Sequence, residues 1–125
     1  MPARRIKIYF DGGCRPNPGR METAIVTGGA AVVVRDAGIG SSMDAEWLAL
    51  IAALRLAKDL GLTDFILLGD AAAVVAQANG TVRARGAAAD HLADFRALAG
   101  DGTMPNVRHV KRTQNLAGIA LAHGR

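Results

Sequence analysis

The hydrophobic residues change period along this chain, from two to about 3.6, and that order restricts it to folds mixing strands with helices. From Arg5 to Asp11, Ile6, Ile8 and Phe10 alternate with Lys7 and Tyr9 as in a half-buried strand, which Asp11-Gly12-Gly13 is expected to end. After the Pro16-Asn17-Pro18-Gly19 turn, Glu22 to Arg35 is rich in Val, Ile and Thr, with Gly28-Gly29 expected as a bulge or kink in an extended ribbon. Ile39 to Ser42 is expected as a short edge strand. Between Asp44 and Leu60, Trp47, Leu50, Ile51, Leu54 and Ala57 follow helical spacing, with Ser42 or Asp44 as cap and Gly61 as stop. Phe65 to Gly69 is a continuous apolar run, suited to a strand buried on both faces by parallel pairing. Asp70 then opens a short Ala/Val-rich helix that leaves through Asn79-Gly80. Thr81 to Gly86 reads as a basic loop, Ala87 to Leu98 as a helix, Val107 to Val110 as a brief strand, and Thr113 or Gln114 to Ala122 as a closing helix. The order predicts an α/β or α+β domain with a mixed sheet.

At 125 residues, the chain is predicted to be a single domain over 1–125. Half its residues are hydrophobic, 21% are charged and mean hydropathy is +0.19, a balance that folds rather than stays disordered. Aromatics make up only 4%, so Trp47 and Tyr9 cannot form a platform that stacks many bases. Lys and Arg outnumber Asp and Glu by 15 to 11, which favours an anionic partner, nucleic acid foremost. Cys14 is the single cysteine, which excludes an internal disulfide and a cysteine-rich zinc site. The first ten residues lack the apolar run of a signal peptide, and no segment reaches the roughly 20 apolar residues of a membrane span. A soluble, cytoplasmic monomer without membrane attachment is expected.

Three carboxylates carry the chemistry. Singly, each has a plain structural explanation: Asp11-Gly12 as a turn dipeptide, Glu46 as an acid suited to a helix's first turn, Asp70 as a helix cap. Together they stand at the ends of adjacent elements, where a parallel strand pair sets Asp11 beside Asp70 and the helix directs Glu46 along its sheet-facing side. Clustered carboxylates repel one another, and a hard divalent cation such as Mg²⁺ or Mn²⁺ resolves the conflict. Two such ions can activate water and stabilise a leaving oxygen in phosphodiester hydrolysis.

The chain resembles the type 1 ribonuclease H family in four segments. These are Tyr9-Phe10-Asp11-Gly12-Gly13-Cys14-Arg15-Pro16-Asn17-Pro18-Gly19, the stretch from Asp44-Ala45-Glu46-Trp47 to Leu54, Leu67-Leu68-Gly69-Asp70, and Arg112-Thr113-Gln114-Asn115 with Ala120-Leu121-Ala122. The resemblance implies a five-stranded mixed sheet flanked by helices, and an endoribonuclease that cleaves the RNA strand of an RNA/DNA hybrid with Mg²⁺ or Mn²⁺. It also implies that Asp11, Glu46 and Asp70 are metal ligands and that Cys14 and Asn17 lie at the hybrid's minor groove, where the RNA 2′-hydroxyl distinguishes RNA from DNA. Gly12, Gly13, Arg15, Asn79, Arg83, Arg85 and Arg112 complete the expected substrate contacts.

The closing helix departs from the family pattern. A gapless fit puts Ile119 where a fourth acid should stand, and a one-residue slip puts Gly118 there, so neither register supplies a carboxylate. Asn115, one turn before Ile119, is expected either to lend its amide oxygen as a neutral catalytic ligand or to cap the helix start. His109 is expected to be structural or to touch phosphate, and His91 and His123 have no motif around them. Two alternatives stay open: a hybrid-binding module that has lost turnover, and another nuclease of the same fold that cuts DNA.

Overall fold

Alternation in β1 (Ile6–Cys14) divides the protein into two sides. The computed structural model describes residues 5–102 and 104–123. β1 pairs antiparallel with β2 (Gly19–Thr27), which pairs antiparallel with β3 (Ala30–Val34). On its other side β1 runs parallel to β5 (Phe65–Gly69), and β5 parallel to β6 (Asn106–His109). The sheet order is therefore β3-β2-β1-β5-β6, the expected five strands, with the two-residue β4 (Ile39–Gly40) added against β2 as a sixth.

Ile8 and Phe10 face α1 (Ser42–Asp59), α2 (Ala72–Ala78) and α3 (Ala87–Ala99) across one core that holds Trp47, Leu50, Leu54, Leu67, Val74 and Phe95. Each such fully buried side chain contributes roughly 1.5–3 kcal/mol. The Trp47 indole meets Phe95 edge-on and donates Nε1–H to Gln77 Oε1 at 3.0 Å, so its polar handle is satisfied inside the core. The other face carries a smaller cluster in which Ala117 and Leu121 of α4 (Leu116–Ala122) cover Ala24 and Val26, with Tyr9 and Val33 packed beside them.

Four local expectations are corrected. β1 does not end at Asp11-Gly12-Gly13 but runs through it, pairing Asp11 with Ala24 and Cys14 with Met21. The glycine at 12 is needed for packing: a Cβ there would overlap the Ala45 carbonyl of α1. Gly28-Gly29 is a two-residue hairpin turn rather than a bulge, both residues at positive φ (57° and 79°), the requirement of a tight primed turn. The cap of α1 is Ser41, in a reciprocal capping box with Asp44. The closing helix is preceded by a 3-10 turn, Arg112–Gln114, which delays α4 to Leu116 and makes Asn115 its N-cap.

Candidate active site

The parallel register of β1 and β5 pairs residue 6 with 65 and 9 with 68, and its continuation sets Asp11 beside Asp70. α1 packs its first turn directly on Gly12, and this close approach brings Glu46 Oε1 to the Gly12 N–H at 3.0 Å. Asp11, Glu46 and Asp70 thus offer oxygens that all lie within 4.8 Å of one another. The plain explanations fail for two of them: Asp11 is in mid-strand rather than a turn, and α2 begins from Ala71 with no side-chain cap, so Asp70 does not cap it.

Glu46 Oε2 is buried and has no hydrogen-bond partner among the described residues. Burial pushes the Glu46 carboxyl up to about 9, with the Asp11 carboxyl beside it adding to the rise. Burial also raises Asp11; the contact with Glu46 opposes that rise and the Asp70 charge adds to it. An all-oxygen donor set with one orphaned oxygen and mutually repelling charges fits a hard divalent cation. These acids line a cleft of about 660 Å³ together with Gly12, Gly13, Cys14, Arg15 and Arg112. Asn17 joins from outside: its Oδ1 accepts the Ser42 N–H at 3.0 Å and faces Cys14 Sγ at 3.5 Å, tying the loop after β1 to the start of α1.

The structure separates other expected residues from this cleft. Asn79 donates its side-chain N–H to the Val107 carbonyl at 2.9 Å, linking the end of α2 to β6. Arg83 lines a different hollow with Arg96, and Arg85 is exposed on its loop. The expectation that Asn115 lends a carbonyl oxygen to a cation is not met, because Oδ1 accepts the Ala117 N–H at 3.1 Å while Nδ2 faces Asp70 Oδ2 at 3.1 Å. The choice between the two registers is also resolved. A Cβ on Gly118 would lie 3.3 Å from Asp11 Oδ2 and 3.8 Å from Asp70 Oδ2, whereas Ile119 lines the same cleft but is 56% exposed at its lip. Gly118 therefore faces the acids.

Sequence reasoning missed His91, which stacks on Trp47 and meets Asp44 Oδ1 at 2.8 Å, fastening α3 to the start of α1. It missed Arg35 as well, whose guanidinium donates to the Leu121 and His123 carbonyls at 2.8 Å each and closes the end of α4. No motif marked either residue. His109 ends β6 on the exposed surface.

A mixed sheet in this order, with three acids gathered beside its central strand and that strand's parallel neighbour, defines a ribonuclease H-like domain. The chain belongs to the reverse transcriptase-like family, whose pattern matches residues 17–124. Ribonuclease HI of Halobacterium salinarum is 38% identical over 81 residues, 61% of this chain and 41% of that protein, so the chain spans less than half of this curated relative. The crystal structure of ribonuclease H1 from the same archaeon superposes with a TM-score of 0.83 at 31% identity, over 94% of each chain. The N-terminal ribonuclease H domain of a Mycobacterium tuberculosis protein gives 0.77 at 27%, over 96% of this chain and 91% of its own. LC11 ribonuclease H1, solved in complex with RNA/DNA hybrid, gives 0.81 at 25%, over 94% and 93%.

Proposed function

We propose that this chain, acting as a single domain, is an endoribonuclease that hydrolyses the RNA strand of RNA/DNA hybrids with Mg²⁺ or Mn²⁺. The observation that carries this reading is the convergence of Asp11, Glu46 and Asp70 in one open cleft. Its relatives named as ribonucleases H, one of them solved on a hybrid, supply the substrate class.

Asp11, Glu46 and Asp70 would hold the cation, which when bound supplies Lewis-acid activation of water and neutralises charge on the phosphate. Glu46 is fixed for this task by the Gly12 N–H. Arg112 lines the same cleft, and its permanent positive charge would attract the substrate's phosphates there. Cys14, Arg15 and Asn17 form the neighbouring wall and would meet the duplex, with Gly12 and Gly13 letting backbone approach it closely. A domain that only bound duplex would gain nothing from three repelling carboxylates, so the cluster favours hydrolysis over binding alone.

The test is a strand-labelled RNA/DNA hybrid incubated with protein and Mg²⁺ or Mn²⁺ beside an Asp11→Asn/Asp70→Asn control free of host enzyme. Fragments of the RNA strand alone, absent in the control, are expected. Intact RNA with retained binding would turn the assignment to a binding module, and cutting of all-DNA duplex would turn it to a DNA nuclease of the same fold.

A further inference from the structure

Among the described residues, Asn115 is the only polar side chain with no exposure, and its three hydrogen bonds reach three parts of the fold. Nδ2 donates to the Phe10 carbonyl of β1 at 3.0 Å and to Asp70 Oδ2, just past β5, at 3.1 Å; Oδ1 accepts from Ala117 in α4. The orientation is forced. Turned over, the amide would set its oxygen against a carbonyl and a carboxylate, and its nitrogen against an N–H.

Asp70 needs such a tether. It lies beyond the last residue of β5, serves no helix as a cap, and shares a small space with two other acids. Like-charge repulsion drives an untethered Asp70 side chain outward, and among the described residues Asn115 is the one side chain that donates to it. Because the same amide is anchored on the Phe10 carbonyl, next door to Asp11, it gauges the separation of the two strands that carry Asp11 and Asp70.

We infer that Asn115 is a positioning residue for the cation site, holding the Asp70 carboxylate in place for the metal without itself being a ligand. The inference rests on the proposal that the three acids bind a divalent cation. Partners that orient a ligand from behind typically change metal affinity by about 10- to 100-fold when removed.

Mn²⁺ titration of the metal-free protein, followed by calorimetry or by the spin-resonance signal of free Mn²⁺, tests this. Asn115→Ser keeps an oxygen able to cap Ala117 but is too short to reach Phe10 or Asp70. Should it not fold, Asn115→Thr keeps the same cap with more bulk and is read in its place. Arg35→Met is the control, because it loosens the far end of α4 without touching the acids. We expect Asn115→Ser to weaken Mn²⁺ binding by about tenfold or more. The metal concentration for half-maximal cleavage rises in step, KM for hybrid stays unchanged, and saturating Mn²⁺ restores kcat. Arg35→Met lowers Tm and leaves Mn²⁺ affinity as it was. Unchanged Mn²⁺ affinity in Asn115→Ser, or equal weakening in Arg35→Met, overturns the positioning role. A wild-type protein that takes up no Mn²⁺ overturns the cation reading itself, and this inference with it.

Discussion

At the scale of single residues, Glu46 is held in a conflict that the folded state imposes. Its carboxyl titrates near an ordinary carboxylate value in the unfolded chain but at about 9 in the fold, so the folded protein binds the extra proton. Metal-free stability should therefore fall as pH rises through the window from about 4.5 to about 9. Glu46→Gln should flatten that slope, leaving the part that comes from Asp11, and should abolish the proposed hydrolysis; Tm measured against pH in chelator, for both proteins, checks the first. Gly118 offers the complementary test. Because a side chain at Gly118 would start toward Asp11 and Asp70, Gly118→Asp should tighten Mn²⁺ binding and lower metal-free Tm, while Ile119→Asp, at the more exposed lip of the same cleft, should do both to a smaller extent. Equal effects of the two substitutions would reverse the assignment of the facing position. The sequence alone left these registers open, since the 3-10 turn before α4 shifts where the helix begins and no periodicity marks it. The orientation of Asn115 was hidden for a related reason: both of its roles need an amide at the helix start, and only the Phe10 carbonyl decides which way it faces.

Among the elements, α1 does most to assemble the site. Its first turn is fixed by the Ser41–Asp44 capping box, by Asn17 on the Ser42 N–H and by His91 on Asp44. Ser41→Ala should cost about 1 kcal/mol in a urea denaturation measurement. Gly12→Ala should cost more, about 3 kcal/mol, because the added methyl displaces the helix backbone at Ala45. It should also cut activity beyond what the lost stability explains, since Glu46 moves with that turn. The helix itself was legible from the spacing of Trp47, Leu50, Leu54 and Ala57, and the buried strand from Phe65 to Gly69. The continuation of β1 through Asp11-Gly12-Gly13 was not, because glycine reads as a break when its purpose is to admit a neighbouring backbone that lies 33 residues away in sequence. The Gly28-Gly29 turn was likewise open, since paired glycines serve a bulge and a hairpin equally until the partner strand is known.

For the whole molecule, bound cation and fold are linked. A divalent ion that binds only the native cluster should raise Tm in proportion to the logarithm of its concentration, and a chelator should reverse the rise. An unresponsive Tm would count against the acids as its site. The mixed sheet and the meeting of Asp11 with Asp70 were readable from the order of periods, because a parallel crossover leaves few arrangements. What the order of periods did not give was the distance of Asn79, Arg83 and Arg85 from the acids: Asn79 ties α2 to β6, Arg83 lines another hollow and Arg85 is exposed on its loop. The middle strand β1 carries Asp11 and its parallel neighbour β5 ends just before Asp70, a placement with a broader consequence. Their amides lie in the part of the protein that opens last, so deuterium should enter at Phe10 and Leu68 only when the entire chain unravels. Separation of Asp11 from Asp70 by partial melting is then closed as a route, and a protease able to clip the outer hairpin at Gly28-Gly29 should leave that pair assembled.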